Sequence, residues 1–243
     1  MEPTRIAKIM AARGICSRRE AEALIAKGWV YVQGDKITEP GTRIMPDAEI
    51  TLDKRANIAL GKKITVLLHK PVGIVSSQPE KGYTPAVSLI IPENQYEKNR
   101  ENLILPTDDL SGLAPAGRLD IDSHGLLVFT QDGVLARKLI GNDTKIDKEY
   151  LIRFSGNLTK DKLRRLNHGL ALDGKELKSA QVTLQNENQL KFILWEGKKR
   201  QIRRMCKLVG LTVHQLKRTR IGNIMLADLP YRKWRILRKD ESF

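Results

Sequence analysis

The fold of the first part of this chain is decided at Ser17-Arg18-Arg19-Glu20. A serine followed three residues later by a glutamate forms a capping box, which starts a helix. Glycine suits a helix end because it adopts the left-handed conformation at little cost. We therefore expect a helix from Ser17 to Gly28, preceded by a shorter one that Thr4 caps and Gly14 ends.

Short strands follow these two helices. Residues 29–32 and 48–52 have the composition of strands, and the Gln-Gly-Asp sequence at 33–35 is typical of a turn. Two helices followed by a small sheet predict an N-terminal domain over residues 1–53. Residues 54–63 show weak periodicity and mixed polarity, which indicates a linker.

The remaining residues, 64–243, predict a larger second domain. Residues 64–68 and 125–130 are apolar runs of strand length, residues 149–154 alternate in polarity, and residues 199–209 have helical spacing. Few helices among many strands predict an α+β fold with a mixed, mostly antiparallel sheet.

The charge of the chain predicts its class of partner. The formal net charge is +15 and the isoelectric point is about 9.9. An excess of this size favours a polyanion, and nucleic acid is the foremost candidate. No apolar run approaches the length of a membrane span, and no basic amphipathic helix carries large aromatic anchors. The sequence therefore predicts no membrane partner.

Basic side chains concentrate in two places. Those on or beside the first two helices suit phosphate oxygens: Arg5, Lys8, Arg18, Arg19 and Lys27. Between positions 191 and 220 there are ten lysines or arginines against one acid, Glu196. Four of these fall at helical spacing on one face: Arg200, Arg203, Arg204 and Lys207. Because a face of one charge repels itself, we expect an anion to neutralise it.

Cysteines and histidines give no sign of a metal site. Cys16 and Cys206 lie far apart, which suits a reducing compartment and predicts a cytoplasmic location. The four histidines have no paired metal-ligand spacing with each other or with the cysteines. We expect neither a metal nor another cofactor. No long heptad or apolar stripe is present, so the sequence predicts a monomer.

The run Gly117-Arg118-Leu119-Asp120 combines a glycine, a cation and a carboxylate. The glycine indicates a tight backbone approach, and the acid would be displayed beside it. Taken alone, the same run also fits a surface ion pair between Arg118 and Asp120.

Several motifs in order resemble known families. Residues 4–52 resemble the S4 RNA-binding domain, through Gly-Ile-Cys-Ser-Arg-Arg-Glu-Ala among other elements. Nearly the whole chain resembles the RsuA/RluB/RluE/RluF family of ribosomal RNA pseudouridine synthases. The matching motifs are residues 70–76, 117–133, 148–151 and 196–205.

The resemblance implies a role for each site residue. Asp120 would be the catalytic carboxylate, acting at the ribose or the base of a flipped uridine, and Arg203 would keep it ionised. Tyr150 would stack on the uracil, Arg118 would fill the space left by the flipped base, and Lys70 would contact RNA.

The details lean toward the RluF-like branch, which implies 23S ribosomal RNA as the substrate. The support is residues 141–143 ahead of 148–150, and residues 203–206 followed by 217–221. Transfer RNA as a second substrate and a pre-ribosomal particle as the partner stay open. The alternatives are a uridine in 16S ribosomal RNA or transfer RNA, or a non-catalytic RNA-binding factor in ribosome assembly.

Overall fold

The computed structural model describes residues 2–61, 63–77, 82–96, 110, 112–141 and 144–243. Eight elements form the first part: β1 (Thr4–Arg5), α1 (Ile6–Ala12), α2 (Arg18–Ala26), β2 (Val30–Val32), β3 (Asp35–Ile37), β4 (Arg43–Ile44), β5 (Ile50–Leu52) and α3 (Lys54–Gly61).

The capping box predicted at the start of α2 is present. The Ser17 hydroxyl accepts a hydrogen bond from the Glu20 backbone N–H at 3.3 Å, and the Glu20 carboxylate accepts one from the Ser17 N–H at 2.7 Å. The cap expected at Thr4 is wrong. Thr4 lies in β1, which pairs with β4, and α1 begins at Ile6 without a side-chain cap.

A three-stranded antiparallel sheet in the order β3-β2-β5 packs with these helices. The predicted linker, residues 54–63, contains helix α3, whose Ala56 is fully buried in the same core. Leu60, one helical turn later, also packs against that core. Ala56 and Leu60 form one line of apolar side chains, which holds α3 to the core. Because the line is so narrow, the apolar periodicity of the sequence is weak.

The second part is built from strands with few helices. Its strands are β6 (Thr65–Lys70), β7 (Ala114–Pro115), β8 (His124–Thr130), β9 (Lys148–Ser155), β10 (Ala171–Leu172), β11 (Lys175–Glu176), β12 (Gln181–Asn186), β13 (Gln189–Leu194), β14 (Thr212–Ile221), β15 (Ile224–Met225) and β16 (Trp234–Ile236). Its α-helices are α4 (Gly133–Ile140), α5 (Lys160–Asn167) and α6 (Gln201–Leu208), with short 3-10 helices at Ala86–Leu89 and Pro92–Asn94.

Nine of these strands form one sheet. The order along it is β12-β13-β9-β14-β8-β6-β16, with β15 paired to β14 and β7 paired to β8. All pairs are antiparallel except β14 with β8. The α+β class and the mixed, mostly antiparallel sheet are therefore confirmed. Within the part of the chain that the structure describes, no helix is long and apolar enough to cross a membrane.

Each face of the large sheet packs against a core of its own. Successive side chains in a strand point to opposite faces, so one strand contributes to both cores. Val66 and Leu68 of β6 lie in one core, and Leu67 between them lies in the other. The first core also contains Trp234 and the buried face of α6, while the second contains Leu139 of α4.

Helix α6 begins two residues later than the sequence predicts. Arg200 has a left-handed backbone, with φ of 52°, so the helix starts at Gln201 rather than at Lys199. A non-glycine residue rarely adopts this conformation, and no side-chain pattern announces it. The helix ends at Leu208, one residue before the predicted Val209, and Gly210 follows with the positive φ expected of its stop.

The first part of the chain contacts the second at the start of α4. A Cβ atom on Gly133 would lie 2.3 Å from Ser17 Cβ, so only glycine allows this approach. Lys63 Nζ lies 2.6 Å from a Glu20 carboxylate oxygen and 3.7 Å from Asp132, which caps α4. These contacts join the N-terminal ends of α2 and α4.

Candidate active site

A cleft of about 1420 Å³ opens at the end of the large sheet. Its walls come from the loop that leads into β8, from β9 and β14, and from residues 194–202. Four of the predicted site residues line it: Arg118, Asp120, Tyr150 and Arg200.

The loop that carries Asp120 is held by its backbone. The Ser76 hydroxyl donates to Leu119 O at 2.7 Å and accepts from the Leu119 N–H at 2.9 Å. Gly117 has φ of 102°, a conformation that favours glycine, but a Cβ atom there would meet only the side chain of Ile140 at 3.4 Å, so the glycine serves the turn rather than a tight backbone approach. Asp120 itself is partly buried, and its carbonyl accepts from the Ser123 N–H at 3.1 Å. These bonds place the carboxylate at the cleft without using its oxygens.

Arg203 does not pair with Asp120, contrary to expectation. Its Nε lies 3.2 Å from Asp122 Oδ2, and its Nη2 donates to Asp122 O at 2.9 Å. Arg200 donates to both carboxylate oxygens of Asp122, at 3.1 and 2.8 Å. Asp122 lies two residues beyond Asp120 and reaches Arg200 at the start of α6, whereas Asp120 lines the cleft.

Asp122 is a site residue that sequence reasoning missed. Burial raises its pKa, but the hydrogen bond from Arg200 and the charge of Arg203 outweigh burial, so the pKa lies below its ordinary value. The available signal was an acid two residues beyond Asp120, opposite a helix rich in arginine.

Lys70 is fully buried, which corrects the expectation that it contacts RNA directly. Its Nζ donates to Pro71 O at 2.7 Å and to Ser123 O at 2.9 Å. Burial lowers its pKa to about 8, although the charges of Asp120 and Asp122 oppose that change. Lys70 therefore ties β6 to the loop after Asp120 from inside the protein.

Tyr150 lies near the start of β9, between the neighbouring strands β13 and β14. It is partly buried, packs against the first core, and presents its ring to the cleft. Arg118 is exposed at the same cleft, and its backbone carbonyl accepts from Arg218 Nη1 at 3.3 Å.

Lys148 and Arg218 also line the cleft, and sequence reasoning gave neither of them a role. Arg218 is 4% exposed, and its Nε donates to Leu126 O at 2.7 Å. Lys148 Nζ donates to Ile146 O at 3.0 Å. Burial, and then the charge of Arg218, lower the pKa of Lys148 to about 8.

The two predicted basic faces differ in how many of their cations have protein partners. Arg5, Lys8, Arg18, Arg19 and Lys27 are all exposed on the first part of the chain. On α6, Lys207 is exposed, and Arg204 pairs with Asp173 through both carboxylate oxygens. Arg200 lines the cleft. The face that was expected to be uniformly basic is thus partly neutralised by Asp122 and Asp173.

Comparison with known families gives two matches. Residues 64–208 match the model of the RNA pseudouridylate synthase family, and residues 4–50 match that of the S4 domain. The chain also resembles a crystal structure described as a pseudouridylate synthase. The TM-score is 0.65, with 21% sequence identity and 96% of each chain covered, which is a likeness of fold.

Individual relatives are similar over most of the chain. The dual-specificity RNA pseudouridine synthase RluF of Escherichia coli K12 is 32% identical over 98% of this chain and 76% of its own length. Ribosomal large subunit pseudouridine synthase B of Bacillus subtilis 168 is 33% identical over 93% of this chain and 88% of its own. A putative chloroplastic ribosomal large subunit synthase of Arabidopsis thaliana, SVR1, is 33% identical over 99% of this chain and 60% of its own.

Proposed function

We propose that this chain, which belongs to the RNA pseudouridylate synthase family and is an RNA-modifying isomerase, converts one specific uridine of 23S ribosomal RNA with Asp120 as its catalytic group. The family assignment follows from the match over residues 64–208 and from relatives at 32–33% identity. The observation that carries the role of Asp120 is its position. It is a partly buried carboxylate on a loop fixed by Ser76, at a cleft that also holds an aromatic ring.

The reaction needs no outside atoms or electrons. The bond from C1′ to N1 breaks, the uracil turns, a bond forms from C1′ to C5, and the proton on C5 is replaced by one on N1. A carboxylate that acts at the ribose or the base lowers the barrier to these steps. Asp120 is proposed for that role.

Other residues of the cleft support Asp120. Tyr150 offers a ring on which the detached uracil stacks, and Arg118 stands exposed where it can fill the space left by the flipped base. Arg203 is proposed as a positioning residue, because its contacts are with Asp122 and the backbone of the same loop.

The first part of the chain is proposed as the RNA anchor. It matches the S4 domain, and its five predicted cations are exposed. The division into residues 1–53, 54–63 and 64–243 is retained as a proposal, with the correction that α3 packs into the core of the first part.

The proposed substrate is 23S ribosomal RNA. Two relatives are named as large-subunit synthases, and a third as a dual-specificity enzyme. The RluF-like assignment rests on these names and on the motif at residues 217–221, while residues 142 and 143 lie outside the described residues. Transfer RNA as a second substrate, a pre-ribosomal particle as the partner, a monomeric state and a cytoplasmic location belong to the same proposal. Free, buried cysteines suit that location.

One experiment tests both the chemistry and the target. Pseudouridines are mapped in ribosomal and transfer RNA from cells with the gene, without it, and with an Asp120→Asn version. We expect one 23S position to lose its pseudouridine both without the gene and with Asp120→Asn. The exposed Asp161→Asn variant is the matched control and should retain the modification.

Each other result has a defined meaning. Loss of a pseudouridine at a 16S or transfer RNA position instead would mean that this RNA, and not 23S ribosomal RNA, is the substrate. No loss at any position would favour the non-catalytic assembly factor. Full modification by the Asp120→Asn protein would remove Asp120 from the chemistry.

A further inference from the structure

Arg218 is a buried cation with part of its guanidinium group unsatisfied. Its Nε donates to Leu126 O and its Nη1 to Arg118 O, at 2.7 and 3.3 Å. Its Nη2 is buried and has no hydrogen-bond partner among the described residues. The same side chain lines the cleft that contains Asp120.

Two backbone hydrogen bonds do not explain why this donor carries a charge. Burying an ionised group without a counter-charge is strongly unfavourable, because the charge loses its hydration. Within the described ranges, no ion pair joins Arg218 to a carboxylate. A neutral donor would hold Leu126 O and Arg118 O at a lower cost. The retained charge points to an anion that the chain does not supply.

Lys148 lies beside Arg218 and raises the same question. Among the residues that the structure describes, its ammonium group donates a hydrogen bond only to Ile146 O, and its pKa is lowered to about 8 by burial and by Arg218. Two neighbouring cations repel each other, which adds to the cost of burying them. An anion between them would remove both costs at once.

The strand register places this pair around Tyr150. Arg218 of β14 is directly opposite Tyr150 of β9, so their side chains share one face of the sheet. Lys148 is two residues before Tyr150 on the same strand and therefore faces the same way, roughly 7 Å along. A base that stacks on Tyr150 has cations both across the sheet and along the strand.

We propose that Lys148 and Arg218 form a subsite for a phosphate group of the nucleotide whose base stacks on Tyr150. The subsite rests on the proposed function, because it takes the flipped uridine as that nucleotide. A phosphate oxygen fits better than a uracil carbonyl, since a neutral carbonyl would leave both positive charges uncompensated. Asp120 lines the same cleft, but among the residues that the structure describes it forms no ion pair with either cation.

The test is a double-mutant cycle between the protein and the RNA. The RNA probe is a transcript fragment around the mapped uridine, made with either an ordinary phosphate or a neutral methylphosphonate linkage at that nucleotide. Binding is measured in an Asp120→Asn background, so that no turnover occurs. With the ordinary linkage, Lys148→Met should raise the Kd about tenfold and reduce the salt slope by about one.

The neutral linkage should weaken binding to the protein that retains Lys148 by a similar factor. It should weaken binding to the Lys148→Met protein by a clearly smaller factor, because the Lys148 contact is already lost and only that of Arg218 remains. Lys160→Met changes an exposed lysine of α5 outside the cleft and should bind like its parent. Equal losses in the parent and in Lys148→Met would overturn the proposal.

Two further measurements separate this subsite from a structural role. With Asp120 restored, most of the loss in Lys148→Met should appear as a higher KM rather than a lower kcat, whereas action on Asp120 would lower kcat. Lys148→Met should also keep or raise the melting temperature, because it removes a buried charge. Arg218→Lys keeps the positive charge but loses the forked guanidinium group. It provides a second variant of the subsite if Lys148→Met misfolds. Activity of the Asp120→Asn protein is read separately, so failure of the proposed chemistry is distinguishable from failure of the subsite.

Discussion

Asp122 contacts two arginines, Arg200 and Arg203, beside the loop that carries Asp120. It binds Arg200 through two hydrogen bonds and lies within ion-pair distance of Arg203, while Arg203 also binds its carbonyl. A charged partner of this kind fixes side chains that would otherwise be mobile in a cleft. The Asp122 carboxylate therefore links the loop that carries Asp120 to the start of α6.

Replacing Asp122 by Asn should lower kcat about tenfold while leaving the fold intact. The amide keeps the shape but loses the charge that orders both arginines, so the loop no longer holds one geometry. Single-turnover rates on the mapped RNA measure the effect. Asp173→Asn is the matched control, because Asp173 pairs with Arg204 outside the cleft and is largely exposed. Equal rates for the two variants would contradict the role assigned to Asp122.

The fully buried Lys70 and the partly buried Lys148 predict how stability depends on pH. The pKa values of Lys70 and Lys148 are lowered to about 8 from 10.5. Between these values the unfolded chain binds protons that the folded chain does not, so the free energy of unfolding rises with pH. The contribution is about 1 kcal/mol per pH unit for each lysine inside that window.

Urea unfolding at pH 8 and pH 10 checks this expectation. The midpoint should rise more for the unaltered protein than for Lys70→Met or Lys148→Met, because each variant removes one of the two titrating groups. Lys160→Met should keep the full difference. If neither buried lysine affects the difference, their pKa values are not lowered in the folded protein.

Single residues differ in how far the sequence could predict them. Asp120, Tyr150 and Arg118 were named from motifs, and they do line one cleft. The partner of Arg203 was misassigned, because an arginine at the start of α6 can reach either of two acids spaced two residues apart. Lys148 and Arg218 were not assigned a role, because a cation in a strand carries no sign of its burial until the register is known.

At the level of elements, Gly133 controls how α2 meets α4. Gly133→Ala places a Cβ atom 2.3 Å from that of Ser17, a distance that folded proteins do not tolerate. The first part of the chain must then shift away from α4. We expect weaker RNA binding, by about tenfold, because the two RNA-binding parts no longer hold a fixed spacing.

The matched control is Gly61→Ala, whose added Cβ meets no atom within 4 Å. Ser17→Gly should rescue Gly133→Ala, since it removes the clashing Cβ, and glycine at an N-cap costs only a few tenths of a kcal/mol. Affinity for the mapped RNA and protection of α2 in hydrogen exchange are the readouts. Failure of the rescue would separate the affinity loss from this contact.

Element boundaries were predictable where side chains set them. The capping box fixed the start of α2, because serine and glutamate satisfy the free N–H groups themselves. The start of α1 was not predictable from Thr4, since a ladder with β4 takes over that backbone. Helix α3 was missed because only one apolar line, through Ala56 and Leu60, holds it to the core.

At the level of the whole molecule, the net charge of +15 is distributed over two parts with different tasks. On the second part of the chain, cations of the predicted basic face already have protein partners, as Arg200 and Arg204 do with Asp122 and Asp173. On the first part of the chain, all five predicted cations are exposed. Affinity for the RNA backbone should therefore depend mainly on the first part.

Neutralising those exposed cations tests this division of tasks. We expect the combined change of Arg5, Lys8, Arg18, Arg19 and Lys27 to Gln to weaken RNA binding and flatten its salt dependence. Each lost phosphate contact removes one released counterion, or about one from the slope of log Kd against log salt. Because the cleft is unchanged, kcat at saturating RNA should fall far less than the affinity. A control that changes five exposed residues outside both basic regions, Lys36, Glu39, Lys160, Asp161 and Arg164, should leave the slope in place. An unaltered slope in the first variant would mean that the anchoring charges lie on the second part.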